Sequence, residues 1–232
     1  MERLDDVTLE RKRQYVLRIY ELLLERCGPP FRRSQADPVG ELVGVILSQH
    51  TSDVNTDRAF ANLLATFGSM EAVRDASQEA IAAAIKSAGL SNVKAPRIKA
   101  VLQTIQARYG SLDLSRLASL PLEEAKSELR SLPGVGPKTA ACALLFGLGM
   151  PAFPVDTHIH RVTLRLGLLP AGMSAEQAHD YLEPLVPPSL VFNFHVLLIW
   201  HGRTICQAQR PKCPQCPLLL ECVYGRRALG IT

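Results

Sequence analysis

Apolar residues recur along most of this chain at spacings of three and four, and the breaks between them carry cap and stop residues. Such spacing belongs to amphipathic helices; the two-residue alternation of a strand nowhere persists beyond four or five positions. About ten helices are predicted. The first covers Val7 to Arg26. Asp37-Pro38 reads as cap plus first-turn proline of a helix reaching about Leu47. Thr51-Ser52 caps the next, which stops at Phe67-Gly68. Ser69 and Ser77 start two short helices, the second ending near Gly89. Asn92 starts a long one with a glycine stop at Tyr109-Gly110. Pro121 opens another, with Glu123 and Glu124 where the helix dipole favours acids. Further helices run from Pro137 to about Leu148, and from Asp156, Ser174 and about Leu190. Connections are short. Gly147 to Pro154, with two glycines and two prolines, reads as a linker between two helical lobes.

Composition strengthens the all-α reading: alanine and leucine dominate and β-branched runs are scarce. The net charge of +4 on 232 residues is compatible with nucleic acid without demonstrating it. Its distribution says more. No Asp or Glu occurs from Ala80 to Leu112, from Ser131 to Val155, or from Pro184 to Leu220. These stretches form one cationic face if the fold joins them, and scattered helix faces if it does not. The N-terminus is polar and acidic, unlike a secretory leader. The longest apolar run, Thr139 to Met150, is too short to span a bilayer. An intracellular, cytoplasmic chain is expected, with its six cysteines reduced or bound to metal.

Two constellations carry chemistry. In Leu132-Pro133-Gly134-Val135-Gly136-Pro137-Lys138-Thr139-Ala140, a glycine turn opens into an apolar helix with a lysine in its first turn. Such a turn offers unpaired N–H groups to an anion. A nucleotide-binding loop fits poorly, because Pro137 stands between Gly136 and Lys138. Eighteen residues beyond Lys138 lies Asp156, at another helix start. The bland readings are a phosphate-binding lysine and an ordinary N-cap. The second constellation is Cys206, Cys213, Cys216 and Cys222, spaced C-x6-C-x2-C-x5-C among prolines. It reads as a metal site. Unequal spacing around a single C-x2-C suits an iron–sulfur cluster somewhat better than zinc, which stays open. Cys27 and Cys142 read as structural.

LPGVGPKTA at 132–140, VDTHIHRV at 155–162, HGR at 201–203 and the cysteine spacing together resemble the endonuclease III family, helix-hairpin-helix DNA glycosylases with an iron–sulfur cluster. Weaker matches are Leu47-Ser48…Asp53 and Gly89-Leu90-Ser91-Asn92…Lys94-Ala95. The resemblance runs from about Asp37 to Cys222. It implies an all-α fold of two lobes flanking a cleft: a six-helix lobe over residues 30–150, and a cluster lobe built from 1–29 with 151–232. It also implies a 4Fe–4S cluster on the four cysteines and double-stranded DNA as partner. The activity implied is excision of oxidised or damaged pyrimidines, followed by β-elimination at the abasic site. A monomer associated with a prokaryotic nucleoid is expected, with no membrane.

In that family reading Lys138 is the nucleophile and Asp156 assists it or stabilises cationic charge on the sugar. Burial and the helix N-terminus would both disfavour the lysine's ammonium form. Gly134, Val135, Gly136 and Thr139 are expected to hold DNA backbone through N–H groups, and Arg210 and Lys212 to form a basic loop beside the cluster for phosphate contact; the bland reading is that they offset the cluster's charge. A flipped base leaves a hole. Gln49 and His50 on one turn, and Leu90, Ser91, Asn92 and Lys94 on another, are expected to fill it, Leu90 as an apolar wedge. The family places Gln where His50 stands and tyrosine where Ser91 stands, which puts lesion choice in doubt. The alternatives are a monofunctional adenine or mismatch glycosylase and a non-catalytic damaged-DNA binder.

Overall fold

The computed structural model describes residues 6–31 and 37–231. Among these, all regular structure is helical: twelve α-helices with short 3-10 turns, and no strand. No single helix is long and apolar enough to cross a membrane. The chain forms two compact units, Arg33–Ala152 and the discontinuous pair Met1–Arg32 with Phe153–Thr232.

The continuous unit contains α2 (Pro38–Ser48), α3 (Asp53–Phe67), α4 (Met70–Asp75), α5 (Gln78–Ala84), α6 (Ser91–Tyr109), α7 (Leu122–Arg130) and α8 (Pro137–Cys142). Four of these seven helix starts, those of α2 to α5, are fixed by side-chain caps. Asp37 Oδ2 accepts from the Gly40 amide at 2.8 Å, and Ser52, Ser69 and Ser77 cap α3, α4 and α5. The core collects Leu42, Ile46, Leu63, Ile98, Val101 and Leu144, all fully buried. Each such side chain contributes on the order of 1.5–3 kcal/mol by leaving water. From α8 the chain continues as a π-helical turn, Ala143–Gly147, which lies close against α2. A Cβ at Gly147 would stand 2.8 Å from Pro38 Cα, so only glycine permits that approach.

Helix α6 departs from the expected pattern. It begins at Ser91, and its cap is Leu90 in the left-handed region at φ 48° with no side-chain cap bond. The start is imposed by the turn before it rather than by a capping residue.

The discontinuous unit combines α1 (Asp6–Cys27) with α9 (Thr157–Leu166), α10 (Ala175–Leu182), α11 (Val191–Thr204) and α12 (Val223–Ala228). Helix α12, after the last cysteine, lies beyond the expected helices. Helix α1 is tied to the distant part of the chain. Arg13 Nε donates to the Pro184 carbonyl and Tyr15 Oη to the Leu166 carbonyl, each at 3.1 Å, and Tyr15 Oη also reaches the Glu221 carbonyl. Ser174 and Gln177 form a reciprocal capping box on α10. Helices α9 and α11 cross closely at Gly202, where a Cβ would lie 2.9 Å from His158 Cβ.

The end of the Gly/Pro stretch is buried and anchored. The Phe153 amide donates to Glu183 Oε2 at 2.9 Å, and its ring stacks on Phe194 with centroids 6.0 Å apart. The Phe153 and Pro154 carbonyls face His179 Nδ1 at 3.2 Å and His195 Nδ1 at 3.1 Å. These contacts deliver Asp156 to the start of α9 from a fixed backbone.

Candidate functional site

The glycine hairpin between α7 and α8 is pinned from beneath. Leu132 and Val135 are buried, and the Val135 amide donates to the Leu132 carbonyl at 3.2 Å. That bond engages the N–H expected to meet DNA, so Val135 serves the turn instead. Thr139 is also buried, leaving only its first-turn N–H for a ligand. The two glycines differ. Gly134 has φ +71°, and a Cβ there would sit 2.7 Å from Arg97 Cδ and Nε. Gly136 caps α8 at φ −90°, a conformation open to any residue, and a Cβ there would meet open space. The first is required by the fold; the second leaves room for something to approach. Lys138, in the first turn of α8, is exposed, contrary to the expected burial. Its own unit does not exclude water from it.

The two turns expected at a DNA hole are joined through α6. Lys94 is not a surface cation as expected: it is 2% exposed, and its Nζ donates to the Leu47 carbonyl at 2.7 Å and the Ala88 carbonyl at 2.8 Å. One ammonium thus ties the roots of both turns, and burial lowers its pKa from the ordinary 10.5. One helical turn later, Arg97 Nη1 donates to Gln49 Oε1 at 2.6 Å. Gln49 is half-buried by this contact, whereas His50 beside it is exposed. Leu90 is 56% exposed, Asn92 is exposed and Ser91 half-buried.

Among the described residues, only His50, Leu90 and Arg210 are non-glycine residues with positive φ, at 55°, 48° and 51°. All three were expected at DNA from sequence. Such backbone persists only where surrounding structure outweighs it, and it concentrates at functional sites.

Asp156 is the N-cap of α9: its Oδ1 accepts from the Ile159 amide at 2.7 Å. The cap fixes the carboxylate in place and uses one of its oxygens, so the bland reading holds without displacing the chemical one.

The four cysteines Cys206, Cys213, Cys216 and Cys222 line one cavity, with apolar walls that include Val162, Leu166, Ile205 and Leu218. Among the described residues, no three His, Cys, Asp or Glu side chains lie close enough to hold one metal ion together. The sulfurs are supplied with donors. Arg165 Nη1 and the Gly225 amide each lie 3.3 Å from a sulfur, of Cys206 and Cys222 respectively. Burial, then the neighbouring thiols, push the Cys216 thiol up to about 11, against a backbone hydrogen bond at Leu218 that lowers it. Thiols in this setting stay protonated unless a positive charge is brought to them. His201, 1% exposed, has Nε2 3.7 Å from Cys216 Sγ and no partner at Nδ1, and burial lowers it to about 4.

Sequence reasoning missed the residues that hold this loop. Arg165 donates to the Gln207 carbonyl at 2.7 Å and the Ala208 carbonyl at 3.0 Å, and lies 4.6 Å from the Tyr224 ring centroid. Arg161, one turn earlier, donates to the carbonyls of Cys206 at 3.0 Å and Gly202 at 2.8 Å. Two arginines at i and i+4 on a helix without acids were the available signal. Arg210 and Lys212 are exposed. The first acid-free stretch behaves differently from a cationic face: Lys94 and Arg97 are struts, Lys99 donates to the Ala76 carbonyl, and Arg108 contacts Glu128 and Ser131. Lys86 remains an exposed cation there.

Residues 43–188 match the HhH-GPD superfamily of base excision DNA repair proteins. Endonuclease III of Thermotoga maritima is 32% identical over 198 residues, covering 85% of this chain and 88% of that protein. An Arabidopsis thaliana protein named for DNA glycosylase activity is 41% identical over 165 residues, or 71% of this chain, which spans only 56% of that relative's length. Among solved structures, a non-covalent endonuclease III–DNA complex superposes with a TM-score of 0.80 at 27% identity, covering 94% of this chain and 98% of the other.

Proposed function

The chain belongs to the HhH-GPD superfamily of base excision DNA repair proteins, and on that premise we propose that it is a bifunctional DNA glycosylase and abasic-site lyase acting through Lys138. The observation that carries this reading is an exposed amine in the first turn of α8, two residues after a glycine whose missing side chain leaves open space. In this reading a DNA phosphate settles over Gly136, against the free N–H groups of Lys138 and Thr139.

The neutral Lys138 Nζ attacks C1′ of the flipped nucleotide, the C1′–N bond breaks, and the base leaves with its electron pair and takes a proton. Loss of the amine proton and ring opening give an imine at C1′. Removal of a C2′ proton then expels the 3′ phosphate. Lys138 is not buried in its own unit, so in this mechanism the bound DNA excludes the water that would favour the ammonium form. Asp156, held by its cap, supplies negative charge for the developing sugar cation. Damaged or oxidised pyrimidines are the proposed substrates.

The cysteine loop is proposed to hold a 4Fe–4S cluster on Cys206, Cys213, Cys216 and Cys222. Four thiols around one apolar cavity, with N–H donors at two sulfurs, support this fit. When bound, the cluster would supply the positive charge that keeps the four sulfurs ionised and the loop closed. The residues of the loop then present Arg210 and Lys212 to phosphate.

Borohydride trapping on duplex DNA carrying an abasic site or thymine glycol tests the reading. A covalent complex is expected with the wild type and none with Lys138→Ala. Base release without trapping would instead assign a monofunctional glycosylase, and binding without either a non-catalytic protein.

A further inference from the structure

We propose that Arg97 is a positioning residue: by holding the Gln49 side chain down, it makes His50 the side chain offered to the base left unpaired when its partner is flipped out. The inference rests on the glycosylase reading above and adds a specificity determinant to it. Sequence left two candidates for this place, Gln49 and His50, one position apart. The structure separates them. Arginine only donates hydrogen bonds, so the Gln49 carbonyl oxygen must face Arg97, as the 2.6 Å contact shows. Gln49 is thereby turned inward and half-buried, while His50 stands exposed on a left-handed backbone.

Arg97 is itself held. Its side chain lies across Gly134, where any Cβ would collide with Cδ and Nε at 2.7 Å. It therefore spans from the hairpin to the 48–52 turn. One turn earlier on α6, Lys94 fixes the backbone at Leu47 and at Ala88. The brace has two levels, Lys94 on the backbone and Arg97 on the side chain, and only the second chooses which residue points out. A strained, exposed histidine persists because both levels act together.

The choice matters chemically. An amide offers a donor and an acceptor side by side, which suits the edge of adenine. An imidazole stacks on any base and offers one hydrogen-bonding edge at a time. Released from Arg97, Gln49 would bring amide recognition to the orphaned base and change the preference for the base opposite the lesion.

Two arms on the full-length, cluster-loaded protein test this, using Arg97→Ala, Gln49→Lys and Gln49→Glu. In the first, without DNA, amide hydrogen exchange is measured over residues 47–54. Exchange should accelerate in Arg97→Ala and Gln49→Lys and stay as in the wild type for Gln49→Glu, which keeps an acceptor for Arg97. In the second, kcat and KM are measured on abasic-site duplexes with each of the four opposite bases. The relative kcat/KM values should shift by about five- to tenfold in Arg97→Ala and Gln49→Lys, the scale of one base-edge contact. Gln49→Glu should keep the wild-type order of opposite bases. Unchanged exchange in Arg97→Ala overturns the brace. An altered base preference in Gln49→Glu overturns it too, because Gln49 would then be reading the base itself. If the wild type processes and binds no duplex, the glycosylase reading fails, and the exchange arm still decides the role of Arg97.

Discussion

The α6 brace and the cysteine loop solve the same problem with different materials. Each supports an exposed residue in left-handed backbone, His50 and Leu90 in one case and Arg210 in the other. In the continuous unit the support is complete within the protein. Lys94 and Arg97 reach carbonyls and an amide directly, over a core of fully buried apolar side chains. In the discontinuous unit the support is arginines from outside the loop and four thiols, one buried and three half-buried, around a cavity. The first brace is a matter of packing and hydrogen bonds; the second, in the function proposed above, is completed by a cluster. Regions of similar backbone geometry should therefore fail under different insults.

Removing the proposed cluster should produce the largest difference. In the double variant Cys213→Ala/Cys216→Ala, or after chelation under oxidising conditions, amides over residues 205–222 are expected to exchange at nearly unprotected rates. Residues 47–54 and 88–95 should keep their protection. Persistent protection of 205–222 in metal-free protein, with no other metal bound, would remove the distinction between the two braces.

A smaller effect is expected from the reverse insult. Lys94→Met leaves two buried carbonyls without donors and should lower the stability of the continuous unit by roughly 2–3 kcal/mol in chemical denaturation. Its pH dependence has a definite sign. Burial lowers the folded-state pKa of Lys94 below 10.5, so between the two pKa values the unfolded chain binds more protons than the folded one. Stability from this group rises with pH as that window is entered from below. The gap between wild type and Lys94→Met should widen toward pH 10; a gap that narrows would contradict a buried, desolvated amine.

The smallest and sharpest comparison lies within the hairpin. Gly134→Ala combines positive φ with a collision against Arg97 and should destabilise by roughly 1–3 kcal/mol. Gly136→Ala meets open space and ordinary backbone, so its melting temperature should stay near the wild type while its DNA affinity falls. Equal thermal losses in the two variants would erase the division between a structural and a contacting glycine.

Local signals in the sequence carried the helices well. Asp37, Ser52, Ser69, Ser77 and Ser174 were legible as caps because each acts on its own next three residues. The start of α6 was misplaced because Leu90 is held in αL by the tertiary brace and by no cap. Lys94 could have been read as buried: it precedes Ile98, Val101 and Ile105 at spacings of four, three and four, on the core face of α6. Its charge suggested DNA instead. Arg97 carried no such signal, since Gln49 and Gly134 lie 48 and 37 residues away and nothing local marks their meeting. At the candidate site, Lys138 and Asp156 were visible as helix-start residues, and Lys138's exposure was not, because exposure depends on the whole unit. Arg161 and Arg165 were not legible because their partners, the carbonyls of Cys206, Gln207 and Ala208, lie 42 to 45 residues further along the chain.

Helix α1 has a consequence for synthesis on the ribosome. Its tyrosine and arginine take partners about 150 to 200 residues further along the chain. Residues 33–152 can emerge and fold while α1 still has no partner. For most of translation this long amphipathic helix is exposed without the surfaces it packs on. The discontinuous unit closes last, once α9 to α12 have left the exit tunnel. Moving α1 to the C-terminus by circular permutation should shorten that wait and raise soluble yield in cells short of chaperones.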